Sequence, residues 1–205
     1  TQVFALNIIQ NGFDLFTLEE IVEPGLFDGV FAAFAKLVLA EAGMEHFRRN
    51  SWDRISTQYG AETVQRLDQA RNVRLADYAQ AQQVRFDFTA RLRQVMSGVD
   101  YLILPTCPCL APRLGETSVD IGAWSGSVRE ALMTNTAPFN VAGFPAITLP
   151  LPLWPSTPSG ANKLSAALQI VGKPGDDGAL LQVAQQVESL LDTSELNRGE
   201  TLAKF

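Results

Sequence analysis

The spacing of apolar residues changes at Gly98, and this change constrains the fold more than any other feature of the sequence. Before Gly98, apolar residues recur at steps of three and four over long stretches, which is typical of amphipathic helices. After it, Val99–Leu104 is a continuous apolar run ended by Pro105, which predicts a buried strand. Because further strands and helices alternate towards the C terminus, the sequence predicts an α/β fold with a mixed central sheet covered by helices.

Two long helical stretches precede Gly98. The first follows Pro24, has Asp28 as its predicted N-cap and is expected to be largely buried. A polar segment over 50–60 interrupts the pattern, and the second stretch is divided near Asn72. The apolar positions of the two stripes are Phe27, Val30, Phe31, Phe34, Leu37 and Val38, then Val64, Leu67, Leu75, Tyr78, Ala81, Val84, Phe88, Leu92 and Val95.

The remaining elements are shorter. Strands are predicted over 13–18, 146–149 and 165–171, and helices over 3–9, 127–133 and Asp177–Leu191. The segments over 106–125 and 150–162 are predicted to be loops, because Pro and Gly are frequent in them. The last helix should begin at Asp176 or Asp177 and bury Leu180, Leu181, Val183, Ala184, Val187, Leu190 and Leu191.

The composition excludes several classes of protein. The 205 residues carry a net charge of -6, whereas nucleic-acid binding requires a basic surface, so we expect no nucleic-acid partner. No apolar run approaches the roughly 20 residues that cross a bilayer, and no signal-peptide pattern is present. We therefore expect a soluble, cytoplasmic chain with no membrane partner.

Few residues carry recognisable chemistry. Cys107 and Cys109 are separated by one proline and lack the partner ligands of a zinc site, so we interpret them as small apolar side chains and expect no metal or cofactor. His46, the one histidine, is interpreted as a helix-surface residue. Ser125 and Ser127 form a Ser-Gly-Ser run that is typical of a turn. The alternative is an active site in which one of these serines works with a Lys or with His46.

An ordered set of motifs resembles the amidase signature family. The most specific block is Thr136–Pro150, which reads T-x-P-x-N-x-x-G-x-P-A-x-x-x-P. The other matching segments are Ala40-Glu41-Ala42, Asp77-Tyr78 with Arg85, Asp100 to Pro112, and Leu168 to Gly172 with Asp176-Asp177 and Leu180-Leu181. A further segment, Ala5–Gly12, resembles the helix and glycine before the central helices of the family. Together these segments extend over nearly the whole chain, so the chain is identified as a member of the family.

The resemblance implies hydrolysis of carbon–nitrogen amide bonds to a carboxylate and ammonia or amine. The family uses a Ser nucleophile, a second Ser in a cis peptide and a Lys base, all in the first half of its chain. Lys36, Lys163, Lys173 and Lys204 do not match the catalytic Lys. We therefore expect residues 1–205 to be the C-terminal portion of a single amidase-signature domain, a fragment that has no catalytic residue and is inactive alone.

The resemblance also implies a substrate-pocket wall. Thr136, Phe139 and Asn140 are the predicted pocket residues, and the Asn140 side chain is expected to hold the turn before Gly143. The expected partners are a small-molecule amide substrate and the N-terminal half of the same enzyme. Without that half, exposed strand edges would favour self-association, as in a homodimer.

Two departures from a related subfamily bear on the substrate. The A subunit of glutamyl-tRNA amidotransferase usually has an acidic residue where this chain has Met133, and an Asn-x-x-Arg-x-Asp-Gly motif where it has Gly43–Arg49. A stand-alone amidase for a small or aryl amide is therefore favoured, and the alternatives are an allophanate-type hydrolase and a subunit of a transamidase. A further alternative is a non-catalytic interaction module, because Pro150–Pro158 contains PxxP spacing.

Overall fold

The computed structural model describes residues 15–17, 26–122, 124–151 and 166–193. The chain divides into two compact units, one of Gly25–Arg91 and one of Thr1–Pro24 with Leu92–Phe205. The predicted helix over 3–9 and most of the predicted loop over 150–162 lie outside the described residues. Within the described ranges, no helix is both long and apolar enough to cross a membrane.

The unit Gly25–Arg91 consists of helices joined by short turns. Helices α1 (Val30–Arg49), α2 (Trp52–Gln58) and α3 (Ala61–Ala70) precede α4 (Leu75–Ser97), which continues beyond the unit. The break between α3 and α4 confirms the division predicted near Asn72. The N-cap predicted at Asp28 is wrong, because α1 begins after Gly29, which adopts φ 73°, and no side chain caps this end.

Helix α2 lies in the polar segment that the apolar period does not predict as a helix. Its N-cap is Ser51, whose hydroxyl accepts a hydrogen bond from the Arg54 backbone N–H at 3.4 Å. Ile55 is the buried residue of this helix. A short helix with one buried apolar residue and a capped N terminus has too little periodicity to be predicted from sequence, since its stability comes from the cap and from packing.

Helix α1 contacts α3 and α4 at and near the motif segment Ala40-Glu41-Ala42. A Cβ atom built on Gly43 would lie 2.8 Å from the Cβ of Ala70, so α1 and α3 approach closely at this glycine. Near this contact, Glu41 Oε1 accepts a hydrogen bond from the Tyr78 hydroxyl at 3.3 Å and lies 3.8 Å from Arg85 Nη1. The motif residues Glu41, Tyr78 and Arg85 therefore form one junction between α1 and α4.

The other unit contains a four-stranded mixed sheet. Its strands are β1 (Leu15–Thr17), β2 (Tyr101–Pro105), β5 (Ala146–Pro150) and β6 (Ala167–Val171), in the spatial order β1-β2-β6-β5. β1 is parallel to β2, whereas β6 runs antiparallel to both of its neighbours. Helices and a mixed sheet in one chain confirm the predicted α/β class.

Helix α7 (Asp177–Thr193) covers one face of this sheet. Side chains alternate between the two faces of a strand, so every second residue of β2, β5 and β6 points towards α7. Leu181 does not join this core as predicted, because its side chain is 60% exposed. The buried residues of the cluster are Tyr101, Ile103, Leu149, Leu168, Ile170, Leu180, Val183, Ala184, Val187 and Leu191.

Short elements connect β2 to β5. A hairpin of β3 (Ser118–Ile121) and β4 (Trp124–Ser127) lies within the segment predicted to be a loop. Helix α5 (Val128–Met133) confirms the short predicted helix, and α6 (Ala137–Ala142) follows after a turn over 134–136. α6 ends at Gly143, whose φ of 71° lies in the left-handed region that favours glycine.

Candidate functional site

On the face of the sheet opposite α7, side chains of β2 and β6 are buried, whereas those of β5 are exposed. Register places Leu104, Gln169 and Thr148 in one row across β2, β6 and β5. Leu104 and Gln169 are buried, whereas Thr148 is exposed, as are Ala146 and Pro150 on the same face of β5. Small and polar side chains at β5 therefore offer a surface on which another molecule or segment can lie.

Gln169 is a buried polar residue in the centre of this face. Its side chain is only 3% exposed, and its Nε2 donates a hydrogen bond to the backbone carbonyl of Asn135 at 2.9 Å. An amide buried without a partner would cost about 1–3 kcal/mol, so this bond justifies the presence of glutamine in an apolar strand. Gln169 thereby connects β6 to the turn between α5 and α6.

Further hydrogen bonds fasten the same region. Asn135 Nδ2 donates to the carbonyl of Pro105, the last residue of β2, at 2.9 Å. The backbone N–H of Thr106 donates to the Ala167 carbonyl at 2.9 Å, and the hydroxyls of Thr106 and Thr148 lie 3.3 Å apart. The ends of β2, β5 and β6 and the α5–α6 turn are thus joined by neutral hydrogen-bonding groups. Such groups can orient a neutral polar ligand, but they supply neither a base nor a nucleophile.

The three predicted pocket residues lie at the end of this turn and directly after it. Thr136 is half-buried at the N-cap of α6, and its hydroxyl donates to the Met133 carbonyl at 3.4 Å. Asn140 is exposed on α6. Phe139 is 1% exposed and belongs to the apolar core. The structure therefore gives the three residues different environments, and a shared pocket remains a prediction.

The turn at the end of α6 is held by backbone atoms. The N–H groups of Gly143 and Phe144 donate to the Phe139 carbonyl at 2.9 and 3.1 Å. These described bonds run between backbone atoms, and the expectation that the Asn140 side chain also holds the turn stays a prediction. Glycine at φ 71° allows this backbone arrangement.

Sequence reasoning did not assign roles to Asn135, Gln169, Thr106 or Thr148. The sequence does contain a signal for Gln169, because this glutamine is the one polar residue in the run Ala167–Val171. A polar residue in a buried strand requires a hydrogen-bond partner. The identity of that partner, however, depends on a contact across 34 residues.

Ser127 and His46 of the alternative active site have structural partners. Ser127 caps α5 by accepting a hydrogen bond from the Glu130 N–H at 3.1 Å, and Ser125 is exposed on β4. His46 is half-buried rather than on the helix surface, and its Nδ1 lies 3.1 Å from the hydroxyl of Tyr59. These contacts support structural roles for Ser127 and His46.

The two cysteines lie just beyond β2 and are free thiols. Burial raises the pKa of the Cys107 thiol, and the proximity of Cys109 raises it further. Cys107 Sγ lies 3.6 Å from the Leu132 carbonyl, which is within range of a weak S–H hydrogen bond. A thiol with a raised pKa is a poor nucleophile at neutral pH. In the described part of the chain, no group of three His, Cys, Asp or Glu residues could hold a metal ion.

Comparison with known proteins identifies a matching family and several relatives. The family model described as Amidase matches residues 13–181. The chain is 34% identical over 115 residues to the A subunit of glutamyl-tRNA(Gln) amidotransferase from Natranaerobius thermophilus, covering 56% of this chain and 21% of that protein. It is 27% identical over 191 residues to the fatty acid amide hydrolase of Oryza sativa subsp. indica, covering 91% of this chain and 29% of that protein.

A solved amidase has a similar fold. Its structure matches with a TM-score of 0.71 and 28% identity, over 83% of this chain and 37% of the amidase. The chain thus spans less than a third of the length of each of the two curated relatives described above.

Proposed function

The chain belongs to the amidase signature family, and we propose that it is part of an enzyme that hydrolyses carbon–nitrogen amide bonds to a carboxylate and ammonia or amine. The observation that carries this proposal is the family match over residues 13–181, which contains both the helical junction and the mixed sheet. The named relatives include a fatty acid amide hydrolase and a solved amidase, and both names refer to amide chemistry.

The proposed mechanism uses a Ser nucleophile, a second Ser and a Lys base carried outside residues 1–205. Through the second Ser, the Lys would take the proton of the nucleophilic Ser, whose oxygen then attacks the carbonyl carbon. The C–N bond breaks, the amine leaves with that proton, and water hydrolyses the resulting ester to release the carboxylate. A lysine acts as a base when burial lowers its pKa. Lys36 is exposed, and Lys173 is half-buried with Nζ 3.9 Å from Asp100, so neither has the required environment. This supports placing the bond-making groups on another segment.

Residues 1–205 would contribute the sheet and one wall of the substrate pocket, as the C-terminal portion of a single domain. We propose that Thr136 and Asn140 contact the substrate, because both are accessible at the start and on the outside of α6. Phe139 would support the wall from behind, since it is almost fully buried. The exposed strip Ala146, Thr148 and Pro150 would meet the segment that carries the nucleophile.

The favoured substrate is a small or aryl amide, converted by a stand-alone amidase. Met133 stands where the A chain of the amidotransferase usually has an acidic residue. Its backbone carbonyl accepts from both the N–H and the hydroxyl of Thr136. A transamidase or allophanate-type role is the second candidate, and the amidotransferase relative favours it. The alternative of a non-catalytic interaction module concerns the Pro-rich run Pro150–Pro158, most of which lies outside the described residues.

Ammonia release from aliphatic, aryl and amino-acid amides tests the proposal. The assay should compare the 205-residue chain with the same chain joined to its upstream reading frame. We expect hydrolysis only in the joined protein. Hydrolysis by the 205 residues alone would refute an external nucleophile, and absence of hydrolysis in the joined protein across the panel would refute the amidase proposal.

A matched pair of variants tests the pocket wall. Thr136→Val keeps the shape of the side chain and removes its hydroxyl, so we expect KM to rise for the preferred amide. Thr134→Val makes the same chemical change at another position of the same turn, where the hydroxyl donates to the Glu130 carbonyl at 2.8 Å. Equal KM values for the two variants would exclude Thr136 from the pocket.

A further inference from the structure

We propose that Gln169 and Asn135 are positioning residues, which hold the α5–α6 turn so that Thr136 faces the substrate. This inference rests on the proposed function and adds to it, because neither side chain belongs to the predicted pocket set. It starts from the buried amide of Gln169, whose Nε2 donates to the Asn135 carbonyl at 2.9 Å. Asn135 precedes Thr136 directly, so this bond fixes the backbone beside the proposed substrate contact.

The turn has weak support of its own. Within it, Thr134 N–H donates to the Ala131 carbonyl at 3.3 Å, and Thr136 N–H donates to the Met133 carbonyl at 3.1 Å. The flanking helices α5 and α6 have six residues each, and helices this short are not stable by themselves. The position of Thr136 therefore depends on bonds that connect the turn to the sheet.

Two such bonds act on one residue. Gln169 binds the carbonyl of Asn135 from the central strand β6, and the Asn135 side chain binds the Pro105 carbonyl at the end of β2. A backbone held at both its carbonyl and its side chain has little freedom to rotate. Because β2 and β6 are paired strands of the sheet, the two anchors move together. Gln169 and Asn135 thus hold the proposed pocket wall in a fixed position relative to the sheet.

The bond from Gln169 is directed at one backbone atom of the turn. An apolar side chain there would suit a buried strand whose other four residues are apolar. It would, however, leave the Asn135 carbonyl without its donor from the sheet, because this acceptor belongs to the backbone and stays when Gln169 is replaced. The glutamine therefore sets the position of the turn as well as contributing to stability.

The test compares Gln169→Met with Gln185→Met in the protein that includes the upstream segment. Both variants replace glutamine by an apolar side chain of similar length, but Gln185 is exposed on α7. For Gln169→Met we expect KM to rise about two- to ten-fold, the range of one net hydrogen bond, with kcat nearly unchanged. A merely structural role would lower kcat through loss of folded enzyme and leave KM unchanged. Unchanged KM in Gln169→Met would overturn the proposal.

A second arm does not require activity. Hydrogen exchange should be measured for the backbone of residues 133–142 in Gln169→Met, Asn135→Ala and the Gln185→Met control. We expect faster exchange in this segment for the first two variants only. If exchange rises but no amide is hydrolysed by the unaltered protein, the positioning role stands and the amidase proposal fails. Unchanged exchange with an active enzyme would overturn the positioning role alone.

Discussion

Gly43 provides the sharpest test of how the helical unit is packed. A methyl group added there would lie 2.8 Å from the Cβ of Ala70 and 3.3 Å from Cε2 of Phe47. Carbon atoms in contact normally lie about 3.5–4.0 Å apart. Ala70 has no rotatable side chain that could give way, so Gly43→Ala must move α1 away from α3.

Two effects of opposite sign determine the result. Alanine favours the interior of a helix over glycine by about 1 kcal/mol. Overpacking a close contact costs about 1–3 kcal/mol. The steric cost should exceed the gain in helix propensity, so we expect Gly43→Ala to lower the free energy of unfolding by about 0–2 kcal/mol. Gly178→Ala on α7, where nothing lies within 4 Å, should instead raise it by about 0.4–1 kcal/mol.

Urea unfolding of the 205-residue chain, followed by far-ultraviolet circular dichroism, measures both free energies. The decisive comparison is a double-mutant cycle of Gly43→Ala with Ala70→Gly, since the second change removes the opposing methyl group. We expect a favourable coupling of about 1–3 kcal/mol. Coupling below about 0.5 kcal/mol, or a Gly43→Ala variant as stabilised as Gly178→Ala, would refute the close approach of α1 and α3.

Three further predictions concern the sheet unit. Ile170→Ala removes a fully buried side chain and should lower the free energy of unfolding by about 2–5 kcal/mol in urea titrations, whereas Leu181→Ala at an exposed position should change it by less than about 0.5 kcal/mol. Gly143→Ala should cost about 1–2 kcal/mol in the same assay, because φ is 71° there. Burial, and then Asp100, raise the pKa of Tyr101. The neutral phenol is therefore favoured in the folded state, and stability should fall as pH rises above the unfolded pKa of about 10. In unfolding curves at rising pH, Tyr101→Phe should reduce this alkaline loss, and an equal loss in the variant would contradict it.

Elements with an apolar run or a repeated apolar face were predictable from the sequence. The change of period at Gly98 separates α4 from β2, and the strands over 146–149 and 165–171 appear as β5 and β6. Ser127 caps the short helix expected over 127–133. In each case the signal is local, since one face of a helix or strand is apolar throughout.

Three short elements without such a pattern were not predicted, for a physical reason. Helix α2 depends on one cap and on Ile55, and α6 lies in a motif block whose glycine and prolines suggested only a turn. The hairpin of β3 and β4 lies in a segment rich in Pro and Gly, where pairing rather than propensity decides the structure. Leu181 matches the apolar stripe of α7 but lies outside the face that the sheet covers.

The sequence alone determined the α/β class, the long helices and strands, and the family, because periodicity and ordered motifs are properties of neighbouring residues. It also indicated Thr136, Phe139 and Asn140, whose part in a pocket remains a prediction. Only the tertiary structure decided that Gln169 binds the Asn135 carbonyl and that Gly43 meets Ala70. Those contacts join residues far apart in the chain, and the choice of partner depends on how helices and strands pack rather than on any local pattern.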